Sequence, residues 1–248
     1  MKKAMFLFAA ALIGVTSVQA QKQIGGDKNI ELQFAPLGGS PISVSGIRFR
    51  TFLDESSAFR VNLFVGSTSD KSVLAQEGDF SIENPVSPIL YQTDKTFDFS
   101  IRPGYEIHFD GTDRLSPYVG AEIEFAMGNT SSEVENWGPN DVDNAGEPEQ
   151  YVVWTETAKD KYTRFGVNLV TGFDFYFADN VYLGAEMGFG FSKTNIGDST
   201  VELSDLVAYN LANFLPSDED APAAIVNGSN SAFGPNVNAK IRLGWLFN

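Results

Sequence analysis

The chain has 248 residues, no cysteine, a single histidine and 32 acidic against 17 basic side chains, for a net charge of −15. Without thiols it carries neither a disulfide framework nor a cysteine-linked lipid anchor, and so acidic a surface repels nucleic acid, whose binding requires phosphates to be neutralised. Beyond residue 20 no stretch is apolar enough for a membrane helix, so a membrane crossing, if there is one, is made of strands.

The first element is a leader. Met1-Lys2-Lys3 is a basic start, 4–15 is an apolar run shorter than a span, and Val18-Gln19-Ala20 has small residues where a signal peptidase needs them. A signal peptide over 1–20 and a mature domain over 21–248 are expected, and loss of Lys2 and Lys3 takes the net charge from −15 to −17.

Eight segments of strict two-residue alternation follow, each with one greasy and one wet face. The apolar sets begin with Ile30, Leu32, Phe34 and Pro36, then Ile47, Phe49, Thr51 and Leu53, then Phe59, Val61, Leu63 and Val65. The fourth segment is the clearest: in 97–109 every odd position is apolar or aromatic, and every even position is polar, charged or glycine. The fifth runs from Leu115 to Met127, the sixth from Phe165 to Phe177, the seventh from Val181 to Phe191 and the eighth from Val237 to Phe247. At about 3.3 Å per residue and a tilt near 40°, such strands cover roughly 30 Å of membrane. The expected fold is all-β, an eight-stranded antiparallel up-and-down transmembrane barrel. Pro103, inside the fourth segment, removes a ladder donor and predicts a bulge or local break.

Short polar turns join segments two and three (54–57), four and five (110–113), and six and seven (178–180). The opposite end carries long connections at 67–96, 128–160 and 193–234, with Leu37-Gly38-Gly39-Ser40-Pro41 as a clipped first link. Short periplasmic turns and long extracellular loops are the usual asymmetry of such barrels, and an even strand count puts both termini on the periplasmic side.

In these segments and in its last residues, 240–248, the chain resembles the small eight-stranded outer-membrane barrels typified by the transmembrane domain of outer-membrane protein A and by outer-membrane protein X. Gly244, Trp245 and Phe247 resemble the terminal signal read by the barrel-assembly machinery, although the final residue is Asn248 rather than an aromatic. The resemblance implies the outer membrane of a Gram-negative bacterium, contact with its lipids, assembly by that machinery, and room for a protein partner.

The positions complementary to the apolar sets face the lumen. They hold Arg48, Arg50, Arg60, Arg102, Arg164, Lys240 and Arg242 against Glu31, Asp98, Glu106, Glu122, Glu124, Asp174 and Glu186, seven of each sign. Charges inside a narrow barrel are costly unless paired, and eight strands leave room for little beyond side chains, so a plugging ion-pair network is favoured over a conducting pore. Inward glycines make space for the arginines. His108, also inward, offers the only handle for hydrolysis, but it sits near the end with the short turns, away from where a lipid substrate would be met.

The long connections are the remaining place for function. The 128–160 stretch is strongly acidic, and its Asp141-Val142-Asp143 run fails as an EF-hand because Ala145 and Val152 stand at ligand positions. In 193–234, Ser199-Thr200-Val201-Glu202 reads as a capping box opening a helix through Leu203, Leu206, Val207, Leu211 and Phe214, ended by Pro216. Those five apolar residues form a candidate partner surface. The expected function is therefore non-enzymatic, as a scaffold, surface-binding protein or accessory subunit of a larger outer-membrane assembly, with no catalytic residue, cofactor or metal. A narrow transport pore is the alternative, and a lipid-modifying barrel enzyme a more distant one.

Overall fold

A computed structural model describes residues 22–35, 43–75, 89–142, 148–213 and 227–247. The expected leader, the first link at 37–41, Phe214, Pro216 and Asn248 lie outside these residues. Within them are nine strands and one helix: β1 (Lys28–Ala35), β2 (Ser43–Asp54), β3 (Ser57–Ala75), β4 (Leu90–His108), β5 (Leu115–Val142), β6 (Pro148–Ala178), β7 (Val181–Ile196), β8 (Thr200–Leu203), α1 (Leu206–Ala212) and β9 (Gly228–Phe247).

Every pairing is antiparallel, in the order β5-β4-β3-β2-β1-β9-β7-β6, and β5 also pairs with β6, so eight strands close into a ring. The seam is β1 against β9, with Lys28 opposite Phe247 and Leu32 opposite Leu243. Closure leaves no sheet edge at the level of the ring, which is what allows strands to stand in hydrocarbon. Outward-pointing side chains form a continuous apolar belt: Phe49, Phe59, Phe97, Ile123, Phe165, Leu169, Met187, Phe189, Ile241 and Trp245 are all exposed. On β4 the belt spans 97–107, which at about 3.3 Å per residue and a tilt near 40° is roughly 28 Å of hydrocarbon.

Above the belt the strands do not stop where alternation stops. β3 and β4 stay in register from Ser67 opposite Phe97 to Val73 opposite Tyr91. β5 and β6 continue from Gly128 opposite Tyr162 to Pro139 opposite Tyr151, giving strands of 28 and 31 residues. Much of what the sequence suggested as long loops is thus β-hairpin. Alternation of hydrophobicity reports burial on one face, and these arms do not keep it; their ladders rest on backbone pairing and on residues such as Thr155, Thr157 and Val152 that favour extended backbone.

The expected helix start also differs. Thr200–Leu203 is strand β8, which pairs with Lys159–Glu156 on β6, so Leu203 is not helical. Glu202 meets Lys159 across the strands at 2.6 Å instead of closing a capping box. The helix begins after Asp205, whose carboxylate accepts from the Ala208 N–H at 2.9 Å.

At Pro103 the register with β3 is unbroken, and with β5 the pairing lapses over Arg102 and Pro103 and resumes at Gly104 without a shift. The local break is present and the bulge is not, because the ring lies on the lipid side and costs the ladder only its own donor.

Candidate functional site

The alternation that makes the belt also aims every second side chain into the lumen. There the lower half of the barrel holds a cage of four guanidiniums, Arg48, Arg50, Arg60 and Arg242, each at most 1% exposed. Five buried carboxylates, Glu31, Glu106, Glu122, Asp174 and Glu186, face them. Arg50 reaches Glu31 and Asp174 at 2.7 Å and Glu106 at 2.9 Å. Arg60 reaches Glu106 and Glu122 at 2.8 Å and Glu186 at 2.9 Å. Arg48 lies 2.7 Å from Glu186, and Arg242 lies 2.8 Å from Asp174 and 3.3 Å from Glu31. Most members of the cage thus have more than one oppositely charged neighbour, the condition under which buried charges are tolerated.

Aromatic and amide groups fill the remaining space. The Tyr182 hydroxyl donates to Glu31 at 2.5 Å and accepts from Arg50 at 2.6 Å, and Tyr118 donates to Glu186 at 2.5 Å. Arg50 also lies over the rings of Phe52 and Tyr182, at 5.1 and 5.2 Å. Charge alone missed these tyrosines and Phe52, but the parity of their positions places them inward. Gly184 is required here, since a Cβ would stand 2.5 Å from the Arg242 guanidinium. Gly244 similarly leaves room for the Tyr182 ring, so a residue singled out as an assembly signal also has a packing role. Trp245 and Phe247 point outward beside the short turns.

The other lumen charges lie toward the long arms and are continuous with the cage, since Lys240 stands opposite Glu186 across β9 and β7 and is linked through Gln33 and Asn62 to Arg48 and Glu122. Arg102 contacts Glu124 at 3.1 Å, and Arg164 approaches the same carboxylate at 3.9 Å while its Nε donates to Thr194 at 3.0 Å. Asp98 accepts from the Tyr162 hydroxyl. Lys240 is buried and donates to the Gln33 side-chain carbonyl at 3.0 Å. The fourteen charges therefore divide between a densely paired cage, in which the Nε atoms of Arg50, Arg60 and Arg242 still find no hydrogen-bond partner among the described residues, and a looser set toward the arms.

His108 closes the lower end. Its Nδ1 is 2.9 Å from the Ser116 hydroxyl and its Nε2 is 3.2 Å from Glu106. This is a Ser-His-Glu arrangement without the exposure that hydrolysis needs: Ser116 is 1% exposed and receives a hydrogen bond from Gln23 at 2.8 Å, and Glu106 is shared by Arg50 and Arg60. The chain of contacts instead ties the segment before β1 into the base of the barrel.

Of the candidate partner surface, Leu206 and Val207 on the first turn of α1 are exposed, whereas Leu203 and Leu211 are half-buried. The helix lies on the arm, with the Tyr209 ring edge-on to Trp154 at 5.5 Å and Ala208 fully buried. The wider expected helix surface is therefore split between a strand, a packed face and two exposed side chains.

Residues 75–194 match the model of the "Putative OmpA-OmpF-like porin family". No curated protein matches the chain. Among solved structures, the chain is similar to the crystal structure of Acinetobacter baumannii CarO, at 12% identity and a TM-score of 0.35, with 90% of this chain and 98% of that one covered. With its closed ring, apolar belt and porin-like central region, the chain is a small β-barrel protein of the Gram-negative outer membrane.

Proposed function

We propose that this protein is a non-enzymatic, non-conducting barrel that holds a rigid surface structure above the membrane, serving as a scaffold, binding surface or accessory subunit of an outer-membrane assembly. The observation that carries this reading is the cage: four guanidiniums and five carboxylates from β1, β2, β3, β4, β5, β6, β7 and β9 interlock across the lumen at 0–3% exposure. Opening a path for ions through it means separating several buried pairs at once, each costly to break. On this reading the short turns and the β1 and β9 ends face the periplasm and the hairpin arms face outward, as in other barrels of this size. Assembly then uses the barrel-assembly machinery, and the belt is covered by outer-membrane lipid.

The family model favours a second reading, a narrow transport pore. Planar-bilayer recording of the purified chain separates the two. The scaffold reading expects a silent membrane across a wide range of voltage, and sustained single-channel steps from the unmodified protein would overturn it in favour of the pore.

A further inference from the structure

The apolar belt ends at Phe97 on β4, Met127 on β5, Phe165 on β6 and Phe191 on β7, all exposed. Each end lies one step lower in the ladder than the one before, as strand tilt requires: Met127 is opposite Phe99, Phe165 opposite Phe125 and Phe191 opposite Val167. The first outward positions above that edge hold Lys95 on β4, Asn129 on β5, Thr163 and Lys161 on β6, and Lys193 on β7, with no carboxylate among them. Composition alone does not account for this, since the chain has 32 acidic against 17 basic side chains. On the flanking strands the same height carries serines, Ser67 and Ser69 on β3 and Ser229 and Ser231 on β9. Basic charge at the edge is therefore confined to one side of the barrel.

Lys95 and Lys161 are brought together across β5. Asn129 pairs with Lys161 on one side and with Phe97 on the other, and Lys95 is the next outward residue above Phe97. With strands about 4.8 Å apart and a rise of about 3.3 Å per residue, the two lysine Cα atoms stand about 12 Å apart on one face, with the short side chains of Asn129 and Ser131 between them. Lys95, Asn129 and Lys161 are exposed, and neither lysine has a carboxylate within ion-pair distance among the described residues. The nearest outward carboxylates stand one step farther from the membrane: Glu202 is held by Lys159 at 2.6 Å, and Glu133 lies opposite Thr93 and Thr157. Asp198, beyond the end of β7, accepts from the Asn227 amide at 3.1 Å. Charge is thus sorted by height, with lysines beside the hydrocarbon and carboxylates beyond them.

We propose that this side of the belt edge is a binding site for the phosphate of a lipid headgroup, seated over Asn129 between the Lys95 and Lys161 ammoniums, with Lys193 as a further contact along the same edge. Lysine meets phosphate as a mobile point charge, and the Asn129 amide adds a neutral donor. The lysine stems lie along apolar surface while the ammoniums reach headgroup level, where anionic lipid attracts them. Phe97, Met127 and Phe165 directly below offer the acyl chains a surface, which selects a lipid over a soluble anion. The site rests on the reading that the arms face outward, which puts the phosphate in the outer leaflet.

Native mass spectrometry of the full chain, folded in a maltoside detergent, tests the site with dioctanoyl phosphatidic acid against dioctanoyl phosphatidylcholine. Phosphatidic acid is expected to be retained in preference. Combining Lys95→Gln with Lys161→Gln should weaken its binding at least tenfold and Asn129→Ala several-fold, whereas Lys22→Gln, the same loss of charge at the opposite end of the barrel, should leave it unchanged. Intact heat-modifiable migration of the double variant shows that its barrel is folded. Equal retention of the two lipids, undiminished binding by the double variant, or release of the lipid by an equal concentration of inorganic phosphate overturns the proposal. Orientation is read separately, by labelling Ser69→Cys on intact cells with a membrane-impermeant maleimide. Labelling is expected; its absence overturns the outward reading of the arms and the outer-leaflet assignment with it, whatever the lipid preference.

Discussion

The same strands behave differently below and above the upper limit of the belt. Below it, each strand has an apolar outer face and a charged inner face, and the barrel is held by lipid outside and by the ion cage inside. Above it, strict alternation lapses, with Val134, Trp137, Val152, Val153 and Trp154 scattered among polar residues, and the hairpin of β5 and β6 continues for about 50 Å at roughly 3.3 Å per residue, held by backbone ladders and by α1 against Trp154. Membrane residence, and not strand formation, imposes the alternation. A strand can be long without it, but it can cross hydrocarbon only with it.

The largest effect that would break this contrast is removal of one cage arginine. Arg60→Ala leaves Glu106, Glu122 and Glu186 each short of a partner and is expected to cost about 3–5 kcal/mol. Urea titration of the folded barrel in lipid vesicles measures it, and an unchanged midpoint would show that the cage is not what holds the lower half. The next effect compares the two regions directly. Leu169→Arg places a charge in the middle of the belt and is expected to cost about 2–4 kcal/mol, whereas Ser69→Arg on the upper part of β3 should stay within about 0.5 kcal/mol. Equal costs at the two sites would mean that the belt has been drawn at the wrong height.

The smallest effect concerns the arms alone. The Asp94 carboxyl is held below the ordinary aspartate range by the Ser132 hydroxyl, at 2.7 Å, and by the Gln92 amide. Since the folded state favours the ionised form, this contact stabilises the arm above the unfolded aspartate pKa, about 3.9. Its contribution is lost as the pH falls through the lower folded value. Amide exchange corrected for intrinsic rates should show the upper ladder between β4 and β5 less protected at pH 3 than at pH 7. Asp94→Asn should remove that difference, and a difference that survives would assign the sensitivity to another group.

How far the sequence could be read follows the same boundary. Within the belt, parity alone separates Phe49 from Arg48 and Arg50, and the structure places them on opposite faces. Parity says nothing, however, about which arginine meets which carboxylate, because the pairs cross the lumen between strands far apart in the chain; Arg48 and Glu186, for example, are 138 residues apart. The division into a densely paired cage and a looser set of charges was equally invisible, since it depends on which side chains meet across the lumen. In the arms the apolar residues, among them Val134, Trp137, Val152, Val153 and Trp154, do not alternate strictly, so 128–160 looked like loop. At 199–205 two capping patterns compete, and the second prevails because Thr200 and Val201 extend the edge of β6 while Asp205 caps the helix.

The seam between β1 and β9 gives the molecule a particular order of construction. Arg242 meets Glu31 across 211 residues of chain, and the cage draws on all the strands of the ring. Contacts so remote in sequence form late, because loop-closure entropy must be overcome before they contribute. Until the first strand meets the last, the arginines and carboxylates of the future interior face water or lipid without their partners. Closing the ring and neutralising its contents are therefore a single event. A partly zipped sheet would carry uncompensated charge along an open edge, and this disfavours its release into the bilayer before the final strand is in place.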